Sequence, residues 1–218
     1  MILAAGRGER MRPLTDSVPK PLQQVGGKTL IERHVLALAK AGIQHIVINL
    51  AWLGHLIKEH LGDGSRFNLV IDYSFEDKAL GTLGGIVNAL TLLKEEQFVV
   101  MSADIVTDFD MQPLLKKILL QQDIAHVVLI EESEFKGDFS LELGRVKEPN
   151  QSAYTYGNIG IYRRQYLTSY EAGQVLDLGQ YLREGVSKNR VSGQLFSGLW
   201  SNVGTIDELT RINQLMST

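Results

Sequence analysis

MILAAGRGERMRPLTDSVPKPL, residues 1–22, is the stretch from which the rest of the chain is read. An apolar run, Ile2 to Ala5, gives way to Gly6 and Gly8 and then to a segment carrying Arg7, Arg10, Arg12 and Lys20. A buried strand feeding a glycine-containing, cationic loop is the layout of a phosphate-holding loop. Glycine matters there because a missing Cβ opens unusual backbone angles and lets a bulky anion approach the N–H groups. Two other phosphate loops do not fit the letters. A P-loop places Gly-Lys-Ser/Thr at the mouth of a helix, which does not follow Gly6, and the dinucleotide fingerprint needs a third glycine where Met11 stands.

Downstream, residues 28–41 place Leu30, Ile31, Val35, Leu38 and Ala39 at helical spacing, with Gly42 as a left-handed stop. Residues 45–50 (HIVINL) read as a short buried strand, 53–61 as a helix ended by Gly62, and 69–73 as a third strand. Residues 79–89 are a glycine-rich turn entering a helix, and 97–103 a fourth strand delivering Asp104. A βαβαβ alternation implies a mainly parallel sheet with helices on both faces, which binds ligands at the carboxyl ends of its strands. Residues 111–122 read as a helix and 125–132 as a strand. The period then changes: 139–146 and 154–162 alternate like antiparallel strands, so the second half is expected to form a small β-containing lobe over the sheet. Helices over 178–187 and 206–216 bracket a strand at 191–196. No linker, repeat or low-complexity tract divides the chain, so one domain, 1–218, is expected.

Composition narrows the class. With 218 residues and 44% hydrophobic content the chain can bury one sizeable core, and a net charge of −3 gives no basic surface for nucleic acid or anionic membrane. The absence of cysteine excludes disulfides, thiolate zinc sites and a cysteine nucleophile, and fits a cytoplasmic location. No apolar run reaches the roughly 20 residues of a membrane span, and 2–5 is too short for the apolar part of a signal peptide. The five histidines show no i, i+4 pair of metal-binding type, and no Ser or Thr stands in a nucleophile elbow. Asp104, at the end of an apolar strand, is of the kind that gives Mg²⁺ a hard carboxylate, or else caps the next segment.

The pattern Leu-Ala-Ala-Gly-x-Gly-x-Arg-Met-x-Pro-Leu-Thr at Leu3 to Thr15, followed by Pro-Lys-Pro-Leu at Pro19 to Leu22, closely resembles the signature of the sugar-1-phosphate nucleotidyltransferases. The resemblance implies a Rossmann-like α/β nucleotidyltransferase fold, with a nucleotide-binding half at 1–132 and a sugar-binding half at 133–218. It also implies the site. Leu3, Ala4, Ala5, Gly6 and Gly8 form the nucleotide loop, Arg10 braces the triphosphate and Lys20 contacts the reacting phosphates. Gly81, Thr82 and Gly84 resemble the base-recognition turn, and Glu76 stands where relatives read a pyrimidine edge; a carboxylate can accept from the N3–H of uracil. Arg7 and Arg12 are either phosphate contacts or surface cations. Gly137, Asp138 and Asn158 resemble sugar-contacting turns. Asp104 implies an Mg²⁺ ligand, with Mn²⁺ as a substitute. The family's second metal-binding Asp, in Trp-x-Asp-x-Gly-Thr, is replaced by Asn202 in Trp200-Ser201-Asn202-Val203-Gly204-Thr205.

Within the family, residues 48–54 and 61–67 and the turn Gly137-Asp138-Phe139 are most similar to the uridylyltransferases that act on N-acetylmuramic acid 1-phosphate. The resemblance thus implies UTP and a sugar 1-phosphate as small-molecule substrates, UDP-sugar and pyrophosphate as products, a place in cell-wall sugar recycling, and a monomer or homodimer. Guanylyl or thymidylyl transfer to mannose or glucose 1-phosphate is the near alternative. A nucleotide-sugar-binding protein that has lost turnover is the alternative of a different class.

Overall fold

Alternate residues of the strand 45–50 face opposite ways: Ile46, Ile48 and Leu50 enter one apolar cluster, Val47 another. A strand with no solvated face belongs to the middle of a sheet covered on both sides. The computed structural model describes residues 1–131, 136–151 and 153–217, and it places that strand accordingly.

In chain order the elements of the first half are β1 (Ile2–Leu3), α1 (Leu14–Ser17), β2 (Gln24–Val25), β3 (Lys28–Thr29), α2 (Leu30–Lys40), β4 (His45–Leu50), α3 (Gly54–Leu61), β5 (Val70–Phe75), α4 (Gly81–Asn88), β6 (Gln97–Ser102), β7 (Ile105–Thr107) and α5 (Met111–Leu115). The second half adds β8 (Ala125–Ile130), β9 (Ser140–Glu142), β10 (Arg145–Lys147), β11 (Thr155–Arg163), α6 (Leu178–Ser187), β12 (Val191–Phe196), β13 (Trp200–Asn202) and α7 (Ile206–Leu215). Among the described residues, nine strands form one sheet in the order β5-β4-β1-β6-β11-β8-β12-β10-β9. Successive pairings leave only β11 and β10 running against the others, so the sheet is mainly parallel in direction. Side chains of α2, α3 and α5 bury on one face and those of α4 and α6 on the other. This is an α/β architecture, a mainly parallel sheet covered by helices on both faces.

Several sequence expectations are corrected. The strands expected over the sheet are laid into it, β11 between β6 and β8. Residues 139–146 are a hairpin, β9–β10, because Leu143 and Gly144 both take positive φ (49° and 75°), the backbone of a two-residue hairpin turn. The helix expected over 111–122 stops at Leu115. Beyond it the carbonyl of Lys117 accepts from Gln97 Nε2 (2.7 Å) and those of Leu119 and Leu120 accept from Arg163 (2.9 and 3.2 Å), so side chains from β6 and β11 take the bonds a helix would have used. The strand expected over 125–132 ends at Ile130; Glu132, which also closes the expected first half, lies outside the described residues.

A third, smaller cluster positions the loop. Met11, Val25, Leu30, Val106, Val203 and Ile212 are fully buried against one another, tying the first loop, the β2–β3 hairpin, β7, the turn after β13 and α7 into one unit. α7 starts in a capping box between Thr205 and Glu208.

Candidate functional site

Polar groups converge at the carboxyl ends of β1, β4 and β6, where β1 opens into the loop, β4 carries Asn49 and β6 delivers Asp104. The loop is tightly braced. Thr15, itself fully buried, donates from its hydroxyl to the Gly8 carbonyl (2.8 Å), and a Cβ on Gly8 would lie 3.1 Å from both Lys20 Cβ and Thr15 Cγ2. Gly8 also has φ +69°, so both space and backbone angle call for glycine.

Arg7 and Arg12 turn out to belong to this bracing. Arg7 stacks on Trp52 with its guanidinium carbon 3.5 Å from the ring centre, and donates to the Thr15 carbonyl (2.8 Å) and to Asp16 (2.8 Å). Arg12 reaches the same Asp16 oxygen at 3.0 Å. The two arginines hold the Asp16 carboxyl below its usual range, the hydrogen bond from Arg7 contributing most.

One cavity of about 240 Å³ gathers most of the expected nucleotide residues: Leu3, Ala4, Ala5, Gly6, Gly8, Glu76, Gly81, Thr82, Lys20 and Asp104 all line it. Lys20 and Asp104 meet there, Nζ donating to Oδ2 at 2.5 Å, with both side chains largely shielded. An ammonium has three donors, so two remain for phosphate oxygens. Gly84 lies behind the wall: its N–H faces the Leu176 carbonyl at 3.4 Å, and a Cβ there would run into the Gln174 carbonyl. A Cβ on Gly81, which has φ +73°, would lie 2.6 Å from the Leu176 carbonyl oxygen.

Glu76 is buried at 7% exposure and clasps the wall together. Its Oε1 accepts from Asn49 Nδ2 (2.7 Å) and its Oε2 from the Leu80 N–H (2.9 Å), while Asn49 Oδ1 accepts from the Ala4 N–H (3.0 Å). Each carboxylate oxygen keeps a second lone pair, so the clasp is compatible with accepting from a base. Asn49 was missed in the sequence, although a lone amide at the carboxyl end of an apolar strand was a usable signal. A Cβ on Gly85 would sit 2.6 Å from Asn49 Nδ2 and 2.7 Å from Glu76 Oε1, which accounts for the second glycine of Gly84-Gly85.

A second cavity, about 250 Å³, is lined by Asp138, Thr155, Tyr156, Asn158, Arg183, Trp200 and Asn202 among others. Asp138 fixes the turn by accepting from the Tyr156 N–H (2.8 Å), and Asn158 takes φ 57° where β11 bulges against β8. Gly137 is outside this lining; with φ +80° and Ala153 backbone 2.8 Å from any Cβ, it makes the turn that presents Asp138. Trp200 donates from its indole to the Gly157 carbonyl (2.9 Å), locking β13 to the bulge.

Asn202 lines the second cavity, while Asp104 lines the first. β13 pairs with β7 so that Asn202 faces Ile105, and the Val203 N–H donates to the Asp104 carbonyl at 2.8 Å. Asn202 Oδ1 is buried with no hydrogen-bond partner among the described residues. A buried amide oxygen with no partner among the described residues, on a strand whose neighbour follows Asp104, is a donor of the kind a hard cation takes. No group of three or more His, Cys, Asp and Glu that could hold a metal is found among the described residues, so a metal here would rest on Asp104, Asn202 and oxygens of substrate. Behind Asp104, burial pushes His34 on α2 down to about 4, so it is neutral near pH 7. Arg10 lines neither cavity: it is exposed, its guanidinium packed on Gly204 at the far end of β13.

A glycine loop, a shielded Lys–Asp pair and paired cavities at the carboxyl edge of a mainly parallel sheet make a site suited to a phosphorylated small molecule. A family model described as nucleotidyl transferase matches residues 1–139, and the chain belongs to that family. It is 44% identical over 99% of its length to the N-acetylmuramate alpha-1-phosphate uridylyltransferase of Neisseria meningitidis serogroup B, covering 96% of that protein. It is 34% identical to the mannose-1-phosphate guanylyltransferase of Mycobacterium tuberculosis over 53% of this chain and only 32% of that longer relative. A solved chain from Bacillus anthracis, in complex with sucrose, shares the fold with a TM-score of 0.87 at 23% identity, covering 99% of this chain and 93% of that one.

Proposed function

We propose that the protein transfers UMP from UTP to N-acetylmuramic acid 1-phosphate, releasing pyrophosphate and UDP-N-acetylmuramic acid in the cytoplasm during cell-wall sugar recycling. What carries the reading is the convergence of loop residues 3–6 and Gly8 with Lys20, Asp104 and the Gly81–Thr82 turn in one cavity. The choice of base and sugar is supported by the end-to-end likeness to the Neisseria enzyme.

The sugar phosphate oxygen attacks the α-phosphorus of UTP; one P–O bond forms, the α–β bridging P–O bond breaks, and its electron pair leaves with pyrophosphate. Such transfer asks the protein for in-line positioning and for positive charge where oxygens become more negative. Lys20, pinned by Asp104, supplies that charge from a fixed place. Loop N–H groups hold the triphosphate, and the Glu76–Asn49 clasp fixes the pocket that receives the base. Arg10, exposed and packed on Gly204 outside both cavities, would brace the triphosphate only by swinging toward it, while Asp138 and Asn158 face the sugar. Asp104 and Asn202 would hold Mg²⁺, which supplies further neutralisation of phosphate charge.

Thermal-shift titration with UTP, dTTP and GTP tests the base assignment. The largest stabilisation is expected from UTP; a larger one from GTP would replace this reading by guanylyl transfer.

A further inference from the structure

The second cavity offers unpaired polar atoms and one cation. Apart from the Asn202 oxygen assigned above to a metal, Thr155 lines it, with an Oγ1 that is buried and has no hydrogen-bond partner among the described residues. Buried polar atoms left unpaired by the protein point to a polar ligand. Among its lining residues the only acid, Asp138, already accepts the Tyr156 N–H, and the only base is Arg183.

Arg183 stands on the first turns of α6, one turn beyond Gly179. A Cβ on Gly179 would lie 3.3 and 3.4 Å from the two terminal nitrogens of Arg183, so the guanidinium rests over a residue that has no side chain to displace it. Its nearest acid, Asp177, is 3.8 Å away, beyond hydrogen-bond reach, and both side chains are more than half exposed. The Asp177 carboxylate is occupied as the cap of α6, accepting from the Gln180 N–H at 2.6 Å. A loose, exposed ion pair of this kind contributes little to stability. The fork of the guanidinium is therefore open toward the cavity.

N-acetylmuramic acid differs from neutral hexosamines by a lactyl ether ending in a carboxylate, an anion that a guanidinium grips with two parallel hydrogen bonds. We infer that Arg183 binds this lactyl carboxylate and so selects the acidic sugar. The inference rests on the second cavity being the acceptor's, as argued under Proposed function.

The test crosses one protein change with one substrate change. Initial rates with saturating UTP are measured for the parent and for Arg183→Met, which keeps much of the stem's bulk. The acceptors are N-acetylmuramic acid 1-phosphate and its lactyl amide, the amide being read as an inhibitor of the acid's turnover if it is not itself turned over. The parent should favour the acid by about 10-fold or more in kcat/KM or inhibition constant, the scale for a hydrogen-bonded charge, and Arg183→Met should lose that preference with its Tm unchanged. A variant that keeps the parent's preference would overturn the assignment while leaving the uridylyltransferase reading intact. So would an equal loss with acid and amide, which would move Arg183 to the phosphate. A parent that turns over neither acceptor would overturn the reading under Proposed function, and this inference with it.

Discussion

Lys20 Nζ lies 2.5 Å from Asp104 Oδ2, joining the first loop to the end of β6 across 84 positions of sequence. Each partner fixes the other in the cavity that the loop lines. The loop is shaped for it: prolines 19 and 21 flank the lysine, and Gly8 leaves room beside its Cβ.

Lys20→Ala should lower turnover by on the order of 10²-fold, the scale for removing one preorganised charge stabiliser. The Tm should fall modestly, since the shielded Asp104 carboxylate is left without its cation, while the protein stays folded. Steady-state rates beside a melting curve check this, and unchanged turnover would remove Lys20 from the mechanism.

The unpartnered Asn202 oxygen leads to a second expectation. Asn202→Asp puts a carboxylate on β13, the strand paired with the one that follows Asp104. Without metal the two acids repel, so the variant's Tm in a chelator should fall below the parent's. Added Mg²⁺ should raise it more than it raises the parent's, and turnover at low Mg²⁺ should increase. Identical Mg²⁺ responses in both proteins would exclude Asn202 from the metal site.

Glu76→Gln replaces an acceptor in the clasp by a donor. One of the facing donors, the Asn49 amide or the Leu80 N–H, then loses its partner, costing ~1–3 kcal/mol for a buried unsatisfied group. Denaturant unfolding should register that loss and the KM for UTP should rise, both through the wall of the base pocket. A full-stability variant with normal KM would contradict the clasp.

Little of that clasp could be read in the sequence. The strand–loop, Lys20 and Asp104 were legible because chemistry and strand ends announce them, and helix ends were legible where a glycine stood, as at Gly42 and Gly62. The roles of Arg7 and Arg12 were not, because their partners, Trp52 and Asp16, are set by loop conformation. The truncation of α5 was hidden for a similar reason: the helical letters continue to 122, and the bonds that end the helix come from Gln97 and Arg163, the latter far away in sequence. Asn202 stood out only as a departure in a motif; that its oxygen is buried and unpaired needed the fold.

Acid should weaken the fold through His126, in the middle of the sheet. Its ring nitrogens are bonded to Ser192 Oγ (2.9 Å) and Gln194 Oε1 (3.0 Å), and burial pushes its pKa from 6.5 down to about 4. Between those values the unfolded chain binds the extra proton, so stability rises with pH across this window and is lost as pH falls through it. From pH 7 to pH 5 the loss is on the order of 2 kcal/mol. Urea unfolding of the parent and of His126→Gln at both pH values checks this: the variant should lose less between pH 7 and pH 5, and equal losses would contradict the assignment.

Uridylyl transfer to the acidic sugar is tested most directly by pyrophosphate release with Mg²⁺ present, pairing UTP, dTTP and GTP with the 1-phosphates of N-acetylmuramic acid, N-acetylglucosamine, glucose and mannose. The highest kcat/KM is expected for UTP with N-acetylmuramic acid 1-phosphate, with UDP-N-acetylmuramic acid as the product by mass. Faster release from GTP with mannose 1-phosphate, or no release from any pair, would contradict it.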